Sequence, residues 1–520
     1  MSETSKILVS YGEITMKPVS IANATPQQLD FLPKLYKEER FFNNALTATY
    51  MRKIAVIGTG QVGGMLAAQL AALGFPTFIV NTAHKDMLEI QSTNLIPEDN
   101  FIFLHTLKEN GEIDRSSEGT SKDFVTGRKI ARDNRKTLQD KLLSREEILN
   151  ADHIIVCSST GGGSGSGSLE RIIKSLAMLK KKDTDYLTPI HLVTCFPSKA
   201  ENGISVRSNT KHAMEIIQEM IYDDDSTALG GIYVIDNETV EKNKEIVSQI
   251  KSRYSNLSSL KLANVLGMLN IFYAFSIPSL TTDNGGGVID SKEFMDVMNL
   301  GGFLDIRHRF HDTDVVQSFK QAELSADQEG DNTLITSFIK DYVNEILCQN
   351  DISVVHEKNE SVINQVMVQF IVPNNNSVSA TLITALQNEF NNRAGEIDVH
   401  FGITYVDEDA GLQGLSLIYV ANHFAAPPRY DEILDELVVA QQQFERREAL
   451  RIQQLEKLAR KNAEIEDLDT KIRKTSGGGV RFSDEDENEA PTTKKSRFGG
   501  VKFKKTNSSL NDDNLGRDEF

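Results

Sequence analysis

The chain has few cysteines and lacks a long apolar run. Its 520 residues include three cysteines, Cys157, Cys195 and Cys348, whose spacing matches neither a metal site nor a disulfide framework. No apolar run is long enough to cross a bilayer, and the first residues lack the pattern of a secretory signal. These absences disfavour a disulfide-stapled or membrane-bound protein and predict a soluble protein in the cytoplasm.

Basic residues are outnumbered by acidic ones. Lys and Arg total 56 and Asp and Glu total 74, which gives a formal net charge of −18. Such a charge argues against binding of the whole molecule to nucleic acid by bulk attraction. Apolar residue types make up 39% of the chain, which is enough to bury the cores of two domains.

The most informative segment is a glycine- and serine-rich run at 161–167. The apolar residues 153–157 before it predict a buried strand, and apolar residues at helical spacing from Leu169 to Leu179 predict a helix after it. Glycines let backbone N–H groups approach an anion, and a helix N-terminus adds partial positive charge. We interpret the run as a phosphate-binding loop. The alternative is a flexible linker, which the position between a strand and a helix disfavours.

A second glycine-rich turn follows the apolar strand 53–57, and we expect a helix after it from Met65 to Leu73. Gly58, Gly60 and Gly63 satisfy the G-x-G-x-x-G fingerprint of dinucleotide-binding proteins. The next predicted strand ends at Asn81, and no carboxylate stands there to bind a ribose 2′-hydroxyl. A dehydrogenase is therefore a less favoured alternative.

Together these segments resemble the tubulin and FtsZ superfamily, in that family's order. The run 161–167 is similar to the family's glycine signature, with Ser164 in place of the usual Thr. Residues 60–63 resemble the G-Q-x-G of eukaryotic tubulins, in which the glutamine lies beside the nucleotide phosphates. Asn81 resembles part of the second nucleotide loop. The resemblance covers roughly residues 53–425.

Residues 119–129 resemble the FtsZ loop that closes over the γ-phosphate. The positions that agree are Gly119, Gly127, Arg128 and Lys129. The positions that depart are Ser121, Asp123 and Phe124, which replace Gly, Asn and Pro. Lys122 is a candidate cation for the γ-phosphate, and the alternative is an exposed lysine without a specific role.

The base and ribose sides of the nucleotide have candidate residues further along the chain. The segment 194–197, followed by Glu201, resembles the family's ribose loop, and Asn237 resembles the asparagine that reads the guanine edge. Asn264 lies early in a predicted central helix, Leu260 to Leu280. Because an asparagine offers both a donor and an acceptor, it suits the mixed edge of guanine. The alternative for Asn264 is an ordinary polar helix position.

The resemblance implies GTP as substrate, with Mg²⁺ as its companion ion. The nucleotide-binding residues that it implies are Gly58, Gly60, Gln61, Val62, Asn81, Gly119, Gly161, Gly162, Gly163, Ser164, Gly165, Ser166, Glu201, Asn237 and Asn264.

Two acidic residues resemble the catalytic acids of the family. Asp290 and Glu293 match the acids of α-tubulin and FtsZ, although Val288 replaces the family's preceding Asn. The resemblance implies a GTPase whose acids act on the nucleotide of the next subunit in a head-to-tail filament. The alternative is a helix N-cap with its capping-box partner, and one pair of residues can serve both purposes.

The resemblance also implies an α/β fold, in which a Rossmann-like GTP-binding domain with a mostly parallel sheet precedes a long central helix. A second α/β domain, the activation domain, follows, with expected strands at 352–355, 366–372, 397–405 and 415–422 and a helix at 381–391. The expected segments are an N-terminal extension at 1–50, the GTP-binding domain at 51–258, the central helix at 259–282, the activation domain at 283–430, a long C-terminal helix at 431–475 and a disordered charged tail at 476–520. Alternatively, Met51 is the true start.

The tail combines a repeated motif with clustered charge. An imperfect repeat at 478–482 and 499–503 flanks an acidic block at 484–489, and basic residues cluster from Lys494 to Lys505. Such short motifs predict docking points for a partner or an adjacent subunit, and the alternative is a solvated tail with no function. The expected long C-terminal helix resembles the C-terminal helices of plasmid and phage tubulins.

The sequence therefore predicts a self-assembling cytoskeletal GTPase of a bacterial or infected host cell. We expect it to segregate plasmid or phage DNA or to position phage cargo, through a DNA-bound adaptor or a cargo protein and without a membrane. The alternatives are an FtsZ-like cell-division protein and a nucleotide-binding filament protein without significant hydrolysis.

Overall fold

A computed structural model describes most of the chain between residues 53 and 475. Apart from gaps of one to three residues, it describes 9–11, 14–16, 53–183, 188–222, 229–238, 259–277, 289–311, 317–324, 333–348, 363–373, 380–406 and 415–475. The expected strand at 352–355, nearly all of the extension 1–50 and the tail 476–520 lie outside the described residues, and so does a glycine-rich segment at 283–287, shortly before Asp290. Compact unit one is residues 1–446, and unit two is residues 447–520.

A ten-stranded sheet forms the centre of unit one, and a separate hairpin pairs β1 (Val9–Tyr11) with β2 (Ile14–Met16). The strands of the large sheet are β3 Ile54–Thr59, β4 Thr77–Asn81, β5 Phe101–Phe103, β6 His153–Cys157, β7 Ile190–Phe196, β8 Leu229–Asp236, β9 Gly302–His311, β10 Ile363–Pro373, β11 Val399–Val406 and β12 Leu415–His423. Their order across the sheet is β11, β10, β12, β9, β8, β7, β6, β3, β4, β5. Neighbouring strands are parallel except β12, which is antiparallel to both of its neighbours.

Twelve α-helices lie within the described residues. They are α1 Gly60–Ala72, α2 His84–Gln91, α3 Phe124–Asp133, α4 Arg135–Leu142, α5 Glu146–Leu149, α6 Ser164–Asp183, α7 Ile204–Tyr222, α8 Ser259–Ser276, α9 Ser291–Met298, α10 Thr333–Cys348, α11 Ala380–Ala394 and α12 Pro428–Thr475. None of them combines the length and the apolar composition needed to cross a bilayer, over the part of the chain that the structure describes.

Both faces of the parallel half of the sheet are buried. Alternate residues of β3 belong to different clusters: Ile54 and Val56 pack in a core that includes α1 and α8, and Ala55 and Ile57 pack in one that includes α6 and α7. A parallel sheet covered on both faces explains why its strands are near-continuous apolar runs. A third core lies between β10 to β12 and helices α10 and α11.

The topology determines where a ligand can approach. From β3, the chain adds β4 and β5 on one side of the sheet and β6, β7 and β8 on the other. The strand order therefore reverses between β3 and β6, and in open α/β sheets the crevice at the carboxyl ends of such strands is the usual ligand site. The glycine turn after β3 and the glycine run after β6 flank this point.

The structure confirms the predicted α/β fold with a mostly parallel sheet and a long C-terminal helix. The helices begin earlier than the sequence predicts: α6 begins at Ser164 instead of Leu169, and α1 at Gly60 instead of Met65. The C-terminal helix, expected at 431–475, begins at Pro428. Since β8 pairs with β9 directly, one sheet runs through both expected domains, and the domain boundaries stay a prediction.

Candidate nucleotide-binding site

The glycine run after β6 packs tightly against the glycine turn after β3. Gly60 has a φ of +71°, and a Cβ built on it would lie 2.7 Å from the amide nitrogen of Gly165. A Cβ on Gly165 would lie 2.9 Å from the carbonyl oxygen of Thr59. Only glycine fits at both positions, so the two turns lie side by side. Gly165 and Ser166 belong to the first turn of α6, which places a helix N-terminus with its unpaired N–H groups at the switch point.

Hydroxyl groups join this run to the neighbouring loops. Ser164, which stands where the resembling family has Thr, lies with its Oγ 2.6 Å from Oγ1 of Thr82 and 3.3 Å from Oγ1 of Thr120. Oγ1 of Thr59 lies 2.6 Å from Oγ of Ser168. Four segments of the chain therefore meet around the start of α6.

The loop 119–123 closes over the glycine run. A Cβ on Gly163 would lie 2.7 Å from the amide nitrogen of Asp123, and the amide of Gly119 donates to the carbonyl oxygen of Thr82 at 2.9 Å. Asp123 caps α3, since its Oδ1 accepts from the amide of Val125 at 3.1 Å. The carboxylate that replaces the expected Asn is therefore engaged in holding the helix. Lys122 is exposed.

Asn209, on α7, is a residue that the sequence did not single out. It is buried, and its Nδ2 donates to the carbonyl oxygens of Lys122, Gly161 and Gly162 at 2.9, 3.1 and 3.3 Å. One amide thus holds the loop 119–123 and the glycine run together. A mid-helix asparagine far along the chain carries no local signal for this role.

The loops after β7 and β8 also meet. Nδ2 of Asn237 lies 3.5 Å from Oε1 of Glu201, and the amide of Ser198 donates to the same Oε1 at 3.3 Å. Oδ1 of Asn237 is buried and accepts no hydrogen bond among the described residues. A buried acceptor without a partner is costly, so this atom fits a ligand that donates a hydrogen bond. Asn264 lies on α8, but its side chain is outside the described residues.

Four other predicted residues occupy the edges of the site. Asn81 is buried at the end of β4, and its Oδ1 accepts from the amide of Thr82 at 2.7 Å, so it shapes the second loop. Gln61 is exposed and Val62 is half-buried at the start of α1. Gly58 is buried, and a Cβ on it would lie 2.7 Å from the carbonyl oxygen of Gly63, so it keeps the turn after β3 compact.

Asp290 and Glu293 form a capping box at the start of α9. Oδ1 of Asp290 accepts from the amides of Lys292 and Glu293 at 2.7 and 2.8 Å, and the amide of Asp290 donates to Oε2 of Glu293 at 2.9 Å. The capping interpretation that the sequence left open is therefore correct for both residues. It leaves carboxylate oxygens in reach of solvent, because Asp290 is exposed and Glu293 is 36% exposed.

These two acids lie far from the glycine run of their own chain. Phe294, the residue after Glu293, is buried edge-on against His153 with ring centroids 5.9 Å apart. His153 begins β6, whereas the glycine run follows the end of β6. A five-residue strand spans about 13 Å, so helix α9 packs at the edge of the sheet opposite to the glycine loops.

Comparisons with known proteins bear on this arrangement. No protein-family model matches the chain. It is similar to the tubulin-like protein CetZ2 of Haloferax volcanii, with 24% identity over 259 residues. That match spans 48% of this chain and 61% of the relative, which is less than two thirds of the relative's length.

Solved structures match over much more of the chain. A GTPγS-form protofilament of TubZ from Bacillus thuringiensis serovar israelensis has a TM-score of 0.59 and 18% identity, covering 81% of this chain and 100% of that one. CetZ from Methanosaeta thermophila strain DSM 6194 has a TM-score of 0.55 and 16% identity, covering 80% and 99%. The chain has the tubulin and FtsZ fold.

The loop 119–123, one of the segments that resemble FtsZ, has an unusual backbone conformation. Ser121 and Lys122 have φ values of +50° and +60°, in the left-handed region that favours glycine. Ser121 stands where the resembling FtsZ loop has Gly, and its backbone adopts a conformation that glycine favours. Hydrogen bonds on both sides of the loop, from Gly119 and to Lys122, hold it in this conformation.

The described residues do not form a metal site made of protein ligands alone. No group of three or more His, Cys, Asp or Glu side chains is placed to hold an ion among the described residues. Mg²⁺ commonly binds through substrate phosphates and water with only one or two protein ligands. Mg²⁺ therefore stays a prediction that depends on the nucleotide.

Proposed function

We propose that the protein binds GTP at the carboxyl ends of β3 to β8, polymerises head to tail and hydrolyses GTP in the polymer. The observation that carries this proposal is the separation of two groups of residues in one chain. The phosphate-type loops gather at one edge of the sheet, and Asp290 and Glu293 lie at the opposite edge. A head-to-tail contact brings opposite edges of adjacent subunits together, and if it does not close into a ring it gives an open filament.

The residues present fit a guanine nucleotide, and Mg²⁺ would enter with its phosphates. The turn after β3, the run 161–167 and the N-terminus of α6 suit the phosphates, because their glycines leave N–H groups accessible. Glu201 suits the ribose, and the buried acceptor of Asn237 suits the N–H groups on the guanine edge. Asn264 would complete the base contact from α8.

Asp290 and Glu293 would act on the nucleotide of the neighbouring subunit. Phosphoryl transfer to water requires a positioned nucleophile and stabilised charge more than covalent help. An exposed carboxylate can accept a hydrogen bond from that water and orient it. The capping box favours this role, because hydrogen bonds from the backbone hold both carboxylates in fixed positions at the start of α9.

GTP turnover measured across protein concentration tests this proposal, with ATP assayed in parallel. We expect turnover per subunit to rise sharply above a critical concentration that coincides with light scattering from filaments. We expect no comparable turnover of ATP, because the adenine edge would leave buried polar groups of the site unpaired. Turnover independent of concentration, or equal for ATP, would contradict the proposal. GTP-dependent filaments without turnover would favour a filament protein that does not hydrolyse GTP.

The proposal also concerns what the filament moves. We propose that the filament moves plasmid or phage DNA or phage cargo, and that residues 476–520 recruit a DNA-bound adaptor or a cargo protein. The long helix α12, which is 48 residues in length and leads directly into this segment, supports that assignment. The repeated motifs and the basic block in 476–520 provide recognition elements of both apolar and ionic kinds.

Removal of residues 476–520 tests the role of the tail. We expect GTP binding and filament assembly to be unchanged, since all the nucleotide loops lie earlier in the chain. We expect recruitment of a DNA-bound partner to be lost, and in the full chain to weaken with rising salt, because the basic block would supply the attraction. Co-sedimentation with filaments measures both. Failure of the shortened chain to polymerise would instead make the tail a contact between subunits.

A further inference from the structure

The first turns of α12 carry a buried arginine that contacts two loops of the site. The side chain of Arg429 is 5% exposed. One of its guanidinium nitrogens donates to Oε1 of Glu436 at 2.7 Å and to Oε2 of Glu432 at 2.9 Å. The other donates to the carbonyl oxygen of Pro197 at 3.4 Å, and Nε lies 3.7 Å from Oδ1 of Asp236. Pro197 follows β7, and Asp236 ends β8.

A second buried arginine joins the same network from α7. Nε of Arg207 donates to Oε2 of Glu436 at 2.9 Å, and another nitrogen donates to the carbonyl oxygen of Glu201 at 3.4 Å. Glu436 therefore bridges two guanidinium groups, one from the C-terminal helix and one from the core. Burial raises the pKa of Glu436, but the hydrogen bonds from Arg429 and Arg207 outweigh burial and lower it overall.

The residues that this network contacts lie beside Asn237, assigned to the base, and Glu201, assigned to the ribose. Glu201 lies beside Asn237, as described above. The amide of Lys199 donates to Oε2 of Glu238 at 2.8 Å, and the amide of Glu238 donates to Oδ1 of Asp236 at 3.1 Å. The contacts of Glu201 with Asn237 and of Lys199 with Glu238 connect the loop after β7 to the loop after β8, and the contact of Glu238 with Asp236 holds the loop after β8 itself. Arg429 contacts both loops at once, and Glu432 and Glu436 of the same helix also pair with Lys199 in the loop after β7, at 3.6 and 3.9 Å.

We propose that Arg429 is a positioning residue for base recognition, held by Glu436 and placing Asn237 and Glu201 at the nucleotide. The inference rests on the proposed GTP site and deepens it. The C-terminal helix and base recognition are then thermodynamically linked. A nucleotide that orders the loops after β7 and β8 also stabilises the first turns of α12, and by reciprocity the helix contributes to nucleotide affinity.

Nucleotide affinities of an Arg429→Gln variant test the proposal. We expect the preference for GTP over ATP, measured by calorimetry, to fall about tenfold, since Asn237 loses its fixed position. Arg429→Lys, which keeps the charge and loses the branched contacts, should retain part of the preference. Arg446→Gln is the matched control, because Arg446 is an exposed arginine on the same helix, and its preference should equal that of the wild type.

The melting temperature of Arg429→Gln distinguishes a positioning role of Arg429 from a purely structural one. A purely structural role would lower the melting temperature of Arg429→Gln and leave the GTP to ATP ratio unchanged, which would overturn the proposal. If Arg429→Gln does not fold, hydrogen exchange on the wild-type chain decides. Addition of GTP should slow exchange at 429–438 together with 236–238, and protection of the glycine run alone would overturn the proposal. Absence of GTP binding by the wild type would instead contradict the proposed function itself.

Discussion

A chain that carries both Asp290→Asn and Glu293→Gln is expected to bind GTP and to assemble, but to hydrolyse GTP roughly 10²–10⁴-fold more slowly. The amide replacements preserve the helix start, since Asn is a good N-cap and Gln serves at the third position of a capping box. They remove the two carboxylates and, with that of Glu293, its contact with Nδ1 of His400 at 3.4 Å. GTP turnover and filament lifetime, measured above the critical concentration, show the effect.

The matched control is Asp296→Asn, on the exposed side of the same helix. Its turnover should equal that of the wild type. Small amounts of the double variant should also slow disassembly of wild-type filaments, because each variant subunit would fail to act on its neighbour's nucleotide. Normal turnover in the double variant would leave Asp290 and Glu293 with the capping role alone.

A Gly163→Ala variant is expected to lose both stability and nucleotide affinity. The added Cβ would overlap Oγ1 of Thr120, and it would lie 2.7 Å from the amide nitrogen of Asp123 and 2.9 Å from its carbonyl oxygen. Because two of these atoms are backbone, the loop 119–123 must move away from the glycine run. Overpacking of this kind costs about 1–3 kcal/mol. If nucleotide binding must restore the closed loop, the same strain lowers affinity by about 5–150-fold.

Thermal unfolding and GTP titration measure the two effects. Gly162→Ala is the control for stability, because the nearest atom to its Cβ would be Oγ of Ser159 at 3.1 Å, which can rotate away. Its melting temperature should stay close to that of the wild type. Equal melting temperatures for the two variants would show that the loop 119–123 does not pack on the glycine run in solution.

The sequence was most informative where apolar runs and glycine spacing act locally. Strand β6 and the run after it were predicted from adjacent residues. The starts of α1 and α6 were predicted too late, because glycine is a poor helix former and a glycine-rich segment resembles a loop. In the structure, close backbone contacts between Gly60 and Gly165 require glycine at the very start of both helices.

Residues whose role depends on distant partners could not be predicted. Asn209 serves the site by donating to three carbonyl oxygens, one of them in a loop 87 residues earlier. Arg429 contacts Pro197 across 232 residues of sequence. Neither position shows a local pattern, since a polar residue in a helix is ordinarily solvent-exposed. The capping box at Asp290, by contrast, is a local motif, and its geometry was anticipated as one of two alternatives.

Strand β6 connects helix α9 at its amino end to the glycine run at its carboxyl end. His153 at its start is packed against Phe294, the neighbour of Glu293, and the glycine run begins four residues after Cys157 at its end. A close-packed interior is stiff and transmits displacement instead of absorbing it. The strand is therefore a rigid connection about 13 Å long between the two surfaces that would meet in the proposed filament. In the proposed filament, a displacement of α9 by one neighbouring subunit would reach, one strand length away, the loops assigned to the phosphates at the contact with the other.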